Sequence, residues 1–365
     1  GTVTLPARMN DAGYRSALIG KQHYGPVEAF PFQNLGDSLK KDAEFFETVD
    51  FKAVEQFVSE ETDDPFFLVV ASSSPHGPYT RSTGPIDPSS LTIPPYLVDT
   101  RRTRRALSRY YQEVAALDRE IGELMRILEK ADKRSDTVFM FTSEQGSGFP
   151  FSKWTLYETG MRTAFIVDWP GQVAPNSRTS AIVEAVDIAA TNLYIGQADQ
   201  TGLDGRSFLP VLKNDATEHR SHVIGVHTNL GILEGAPSPI RAVRTENWKL
   251  VWNLLPDETF RNLTVKGVVI QSWQSDGGQL GQARANAFAN RPEYELYRVD
   301  RDPYELNNLI EDPVHAETIA DLKTTLENWM IENGDEGVAT ELTACTRMRR
   351  SRQRKCESGD YSLSD

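Results

Sequence analysis

The stretch that decides the fold is TVFMFTSEQGSGFPFSKWTLYETG, residues 137–160. Its first six residues are an apolar run rich in Val and Phe, the pattern of a strand buried on both faces. The run stops at Ser143-Glu144-Gln145-Gly146, where two long oxygen-bearing side chains follow directly on the strand end. In open parallel sheets, ligands gather just outside the carboxyl ends of strands. Gly146 and Gly148 let the backbone turn tightly, and Lys153 adds a positive charge a few residues later. A carboxylate, an amide and a lysine at a strand end read as a metal-and-anion site. A solvated loop is the competing reading of the same residues.

Upstream, residues 5–12 read as a short helix stopped by Gly13. Residues 16–20 form a short buried strand with Lys21-Gln22-His23 at its end. Residues 54–59 close another helix. FFLVVA, residues 66–71, is a second apolar strand, running out into Ser-Ser-Ser-Pro-His-Gly-Pro with His76 between two prolines. A Pro- and Ser-rich stretch, residues 80–95, follows over the surface. Leu107, Tyr110, Val114, Leu117, Ile121, Leu124 and Leu128 recur at three- and four-residue spacing, which predicts a long amphipathic helix over 104–130. Downstream, residues 165–169 read as a strand and 186–194 as a helix.

This alternation predicts an α/β fold over residues 1–214, with a mostly parallel central sheet flanked by helices. Short strands at 223–226, 240–244, 249–252 and 294–299, then a helix at 316–330, predict a smaller C-terminal α+β subdomain over 215–333 with an antiparallel sheet. Residues 334–365 are polar, carry a basic cluster at 347–355, and read as a mobile tail.

Composition narrows the function. Hydrophobic residues make up 39% of the 365 and charged residues 25%, ordinary for a globular protein. No run approaches the ~20 apolar residues of a membrane helix. A net charge of −13 argues against nucleic acid as a partner. An anionic substrate must therefore be drawn in by local lysines and histidines. Cys345 and Cys356 could pair, and a lone pair fixes no compartment.

The chemical signal is a convergence of strand ends: Lys21 and His23 after one apolar strand, His76 after another, Glu144 and Gln145 after a third, and Lys153 beyond. Taken alone, each histidine reads first as a structural loop residue. Placed on one rim, two lysines and two histidines could hold a tetrahedral oxyanion and move protons near neutral pH. A carboxylate beside a carboxamide offers hard oxygen ligands, suited to Ca2+ or Mg2+.

These residues resemble the sulfatases of the alkaline phosphatase superfamily. GYRSALIGKQHYGP at 13–26 looks like that family's block ending Gly-Lys-x-His, and PFFLVVASSSPHGPY at 65–79 like its Pro-His block. TSEQG with KWTLYETGMRTAFIVDWPG resembles its metal-ligand block and the run behind it, and ELYRVDRDPYELNNL at 295–309 its C-terminal signature. Within the family, HYGPVEAFPFQN, SGFPFSKWTLY and PIRAVRTENWKLVWNL are most similar to heparan N-sulfatases (sulfamidases). The resemblance implies that Glu144 and Gln145 are Ca2+ ligands and that Lys21 and Lys153 bind sulfate oxygens. It implies that His23 and His76 act at the nucleophile and the leaving group. It also implies a sulfated carbohydrate as substrate, with His227 as a candidate sugar contact, and a secreted, periplasmic or lysosomal location. A homodimer is left open.

Two departures stand out. The family's metal pair is Asp-Asn or Asp-His, whereas here it is Glu144-Gln145, each longer by one methylene. The Cys-x-Pro-x-Arg or Ser-x-Pro-x-Arg segment, whose Cys or Ser becomes formylglycine, does not occur; Cys345-Thr-Arg-Met-Arg lacks the proline. The chain therefore reads as a sulfatase whose nucleophile lies upstream of Gly1. A non-catalytic glycan-binding relative and a metallophosphatase or phosphodiesterase of the same superfamily are the competing readings. Asn262-Leu263-Thr264 is a glycosylation sequon that matters only in a eukaryotic source.

Overall fold

In chain order the elements are α1 (Leu5–Asp11), β1 (Arg15–Gly20), β2 (Gln33–Asp37), α2 (Phe51–Val58), β3 (Phe66–Ala71), α3 (Arg101–Lys130), β4 (Phe139–Thr142), α4 (Glu158–Met161), β5 (Phe165–Asp168), α5 (Ala185–Ile195) and α6 (Leu209–Leu212). After them come β6 (His222–His227), β7 (Ile240–Thr245), β8 (Trp248–Asn253), α7 (Val268–Asp276), α8 (Gly278–Ala289), β9 (Tyr294–Arg298), α9 (Ala316–Glu332) and α10 (Val338–Leu342). This is a computed structural model, and it describes residues 2–37, 49–79, 84–228, 238–260, 262, 264, 267–343 and 346. The chain divides into two compact units. The first comprises Gly1–Ile86, Ser108–Phe141 and Phe165–Arg220; the second comprises Asp87–Leu107, Thr142–Ala164 and Ser221–Asp365.

In the first unit β1 is the middle strand of a parallel sheet, between β2 and β3. Its pairing with β3 runs from Arg15 opposite Phe66 to Gly20 opposite Ala71, so the two strands end level. Ala17 and Ile19 of β1 pack against Val54, Phe57 and Val58 of α2 and against Leu124, Ile127 and Leu128 of α3. Asp50 caps α2, its carboxylate accepting the backbone N–H groups of Lys52 and Ala53. The apolar stripe of α3 serves this core at its C-terminal end, whereas Val114 on the same stripe is 38% exposed.

FFLVVA is a strand as expected; among the described residues it lies at the edge of its sheet, and its side chains are half-buried. One expectation needs correction. The strand in residues 137–142 is likewise half-buried, paired with β5 in a two-stranded sheet. An apolar run marks a strand without saying how many neighbours cover it. The Ser143 N–H bonds to the Ala164 carbonyl, setting the end of β4 beside the start of β5 in antiparallel sense.

In the second unit, β6, β7, β8 and β9 pair in that order as an antiparallel sheet. Val243, Leu250 and Leu296 on one face meet Leu322, Leu326 and Met330 of α9. The adjacent helices α7 and α8 bury Trp273 and Phe288 completely. Sequence periodicity does not announce them, because Gly277 and Gly278 interrupt the pattern. The stretch read as a tail begins with ordered residues: Asp335 and Glu341 both bind the guanidinium of Arg241, which is 1% exposed. The basic cluster at 347–355, Cys345 and Cys356 lie outside the described residues. Among the described residues no helix is long and apolar enough to cross a membrane.

Candidate active site

Lys21, His23 and His76 all belong to the first unit and leave its parallel sheet at one edge. β1 and β3 end at Gly20 and Ala71, which are paired, and the Lys21 N–H donates to the Ala71 carbonyl at 2.8 Å. Gly20 is required there. It has φ +97°, and a Cβ on it would lie 2.3 Å from the Ala71 oxygen. Lys21 is half-buried and His23 exposed.

The segment carrying His76 is pinned from two sides. Ser72 Oγ donates to Glu120 Oε2 at 2.5 Å and Ser74 Oγ to Glu113 Oε2 at 3.0 Å. The His76 N–H closes a turn onto the Ser73 carbonyl. Its Nδ1 lies 2.6 Å from the Gly77 carbonyl, so in the neutral ring Nδ1 carries the proton. Glu113 and Glu120 are 2% and 6% exposed. Sequence reading missed them because they sit within an amphipathic helix, where glutamates ordinarily face water. Their signal was a spacing of seven residues, two helical turns, which puts both on one face.

Glu144, Gln145 and Lys153 belong to the second unit, on the loop between β4 and α4. The loop is drawn closed by the Gly146 N–H bonding to the Gly160 carbonyl. A Cβ at Gly146 would lie 1.8 Å from the Thr159 oxygen, so only glycine fits. Beyond it Phe149, Phe151 and Ser152 are buried, and the Lys153 N–H bonds to the Ser147 carbonyl. Phe151 packs against Tyr157, Trp273 and Phe288. Lys153 itself is half-buried, its Nζ 5.0 Å from the centre of the Trp154 ring.

A buried charge cluster supports the end of this loop. Lys249, fully buried, places Nζ 2.8 Å from Glu158 Oε1, 2.9 Å from Glu305 Oε1 and 3.0 Å from the Leu156 carbonyl. Glu305 Oε2 accepts the Glu158 N–H, while its Oε1 meets Lys249 as an ion pair without an aligned hydrogen bond. Burial pushes the Glu305 carboxyl up to about 7 even though Lys249 pulls it down. Burial would raise Glu158 too, but Lys249 and Arg244 hold it below the usual carboxylate value.

Glu144 is exposed and Gln145 half-buried, with Gln145 Nε2 3.4 Å from Glu144 Oε2. Their side-chain oxygens suit a hard cation. They supply only part of the ~6–8 oxygens Ca2+ takes. Among the described residues no group of three or more His, Cys, Asp or Glu could hold a metal ion.

His227 ends β6 in the second unit, 9% exposed, with Nε2 lacking a hydrogen-bond partner. Burial first, then the nearby Arg291 and Arg241, push its pKa down to about 4. Of the histidines given no role, His219 Nε2 lies 3.1 Å from Asp187 Oδ2 and His315 packs on Trp248. The arginines of PIRAVRTENWKLVWNL are internally paired, Arg241 with Asp335 and Glu341, and Arg244 with Glu158.

An α/β unit with a lysine and two histidines at one carboxyl edge, in a chain that also carries an acidic-amide pair after a strand, has the residue types that an anion site calls for. The chain belongs to the sulfatase family: the family model Sulfatase matches residues 1–196, and N-sulphoglucosamine sulphohydrolase, C-terminal, matches 146–261. It is similar to the N-sulphoglucosamine sulphohydrolase of Homo sapiens, 27% identical over 92% of this chain and 75% of that protein. It is also similar to an ulvan-active sulfatase of Formosa agariphila, 24% identical over 91% of this chain. The chain spans 65% of that sulfatase's length and 42% of a second one from the same organism. Among solved structures, a sulfatase from work on glycosaminoglycan metabolism by Bacteroides thetaiotaomicron superposes with TM-score 0.68, covering 99% of this chain and 80% of the other at 18% identity.

Proposed function

We propose that the protein hydrolyses sulfuric ester or sulfamate bonds in sulfated sugars, with N-sulfoglucosamine-like ends as the preferred class. The observation that carries this is the level ending of β1 and β3, which puts Lys21, His23 and His76 on one sheet edge. The likeness to N-sulphoglucosamine sulphohydrolase over 92% of the chain supports the sugar class.

In this reading Lys21 and Lys153 neutralise the sulfate oxygens, where fixed positive charge is worth most as negative charge develops. His76, its Nδ1–H donating to the Gly77 carbonyl, presents Nε2, which gives a proton to the departing nitrogen or oxygen from the imidazolium form and is left as the neutral ring. His23, exposed at the same edge, exchanges protons with the attacking group and with water. Glu144 and Gln145 contribute oxygens to a Ca2+ site. Bound there, Ca2+ would supply Lewis-acid polarisation, and the family's formylglycine would be the nucleophile. His227, whose pKa burial pushes down to about 4, is assigned to the sugar side.

The test is sulfate release by the complete protein from N-sulfoglucosamine and from an aryl sulfate. Lys153→Ala and His76→Ala should each lower kcat by at least about 100-fold with an unchanged circular dichroism spectrum. Unchanged turnover in both variants, or hydrolysis confined to phosphate esters, would overturn the assignment.

A further inference from the structure

The first unit carries an open groove of about 620 Å3 that shares no residue with the candidate catalytic set. Its volume falls in the ~300–1,000 Å3 range of small-ligand sites. Three local structures build it. Trp169 and Gln172 come from the turn after β5, where the N–H groups of Gln172 and Val173 both bond to the Trp169 carbonyl. Tyr194, in the last turn of α5, is 53% exposed, and Gln197 and Gln200 follow as the chain leaves that helix. Lys213 ends α6 on the remaining side.

The lining has a consistent chemistry. Trp169 and Tyr194 offer flat apolar faces with a polar edge, against which the C–H face of a pyranose ring packs. Three glutamines each offer a carbonyl acceptor and two N–H donors, matching the mixed donor and acceptor character of sugar hydroxyls. Among the described residues Lys213 is the only charged one lining the groove and no carboxylate does, in a chain of net charge −13. Gln197 has φ +53°, a left-handed backbone that favours Gly or Asn. The turn is fixed by the Gln197 N–H to the Tyr194 carbonyl and the Ala198 N–H to the Leu193 carbonyl. A long amide side chain is thus carried at a position the backbone alone would give to glycine.

We infer that this groove is a second carbohydrate-binding site. It holds sugar rings of a polymeric substrate on Trp169 and Tyr194, with the three glutamines on hydroxyls and Lys213 on a sulfate or carboxylate substituent. The sulfated character of the ligand rests on the function proposed above; the sugar class rests on the groove.

The experiment measures binding of a heparan sulfate hexasaccharide, its desulfated counterpart and inorganic sulfate to the complete protein by calorimetry. Monosaccharide hydrolysis is measured in parallel. Tyr194→Ala should weaken hexasaccharide binding about tenfold or more. Gln197→Gly, which relaxes the backbone, should weaken binding while holding or raising Tm, so that lost binding is not lost folding. Lys213→Ala should reduce the preference for the sulfated over the desulfated chain, and leave the part that Lys21 and Lys153 supply. All three variants should hydrolyse the monosaccharide at the wild-type rate. Hexasaccharide binding untouched by Tyr194→Ala and Gln197→Gly, yet abolished by His76→Ala, would overturn the second site and leave the catalytic reading intact. Tyr194-dependent binding by a protein that releases no sulfate would keep the groove and remove the catalytic reading.

Discussion

Replacing Lys249 with methionine tests whether the buried charge cluster holds the Lys153 loop. The change keeps the unbranched aliphatic stem and removes the charge, leaving Glu305, 5% exposed, without a counter-ion and Glu158, 6% exposed, with Arg244 alone. Breaking a buried ion pair from one side costs about 3–5 kcal/mol, which for a unit of this size is roughly 6–20 °C in Tm. The pH dependence gives a sharper signature. The Glu305 carboxyl sits at about 7 when folded, above its unfolded value, so its stabilising contribution is complete in acid and is lost as pH rises through about 7. Without Lys249 the Glu305 carboxyl moves further up and the Glu158 carboxyl rises from its depressed value. The variant's deficit should therefore be larger at pH 8 than at pH 5, by about 1.4 kcal/mol for each pKa unit gained. Urea denaturation followed by tryptophan fluorescence at the two pH values measures this. Glu305→Gln in the same chain should recover part of the loss at pH 8. A deficit below about 1 kcal/mol, equal at both pH values, would show that water already screens the cluster and that the reasoning is wrong.

His227→Gln should flatten the acid limb of stability. The histidine's depressed pKa of about 4 means that stability is lost as pH falls from its unfolded value toward 4, in all about 3 kcal/mol. Stability scans of the variant and wild type between pH 7 and 4 read this directly. Gly146→Ala puts a methyl 1.8 Å from the Thr159 oxygen and should cost about 1–3 kcal/mol. The same change should shrink the rise in Tm on adding millimolar Ca2+, since it displaces the turn that follows Glu144 and Gln145. Glu113→Leu removes the acceptor of Ser74 Oγ and should cost about 1–3 kcal/mol. In the complete protein it should lower kcat more than it changes KM, with Glu113→Gln restoring most of the rate.

Most of the fold was legible because its elements advertise themselves locally. SALIG and FFLVVA are strands where expected, and the three- and four-residue spacing of Leu107 through Leu128 is a helix, α3. The misses have specific causes. Gln33–Asp37 forms β2 with a single large apolar side chain, Leu35, because β1 offers it a parallel partner. That is tertiary context overriding a weak local preference. Helices α7 and α8 escaped because paired glycines sit where their patterns meet. The arginines of β7 give no local sign of their pairing, because their partners, Asp335, Glu341 and Glu158, lie far along the chain.

The candidate site was legible in its tips and illegible in its supports, for one physical reason. A residue proposed to meet substrate stands at or just beyond a strand end, and a strand end is a local event that the sequence displays. A residue that holds another in place is recognised only by its partner. Ser74 finds Glu113 39 residues away, and the Leu156 carbonyl finds Lys249 93 residues away. Nothing in the immediate neighbourhood of Glu113 distinguishes it from a glutamate on a solvated helix face. The same distance argument explains why glycine was the more readable support. Gly20 and Gly146 are backbone necessities, set by strand approach and loop closure within the motif itself, and both flank the residues assigned to chemistry. Substitutions at Glu113 and Lys249 therefore test the structural argument more severely than substitutions at His76 or Lys153, which the motif alone would have suggested.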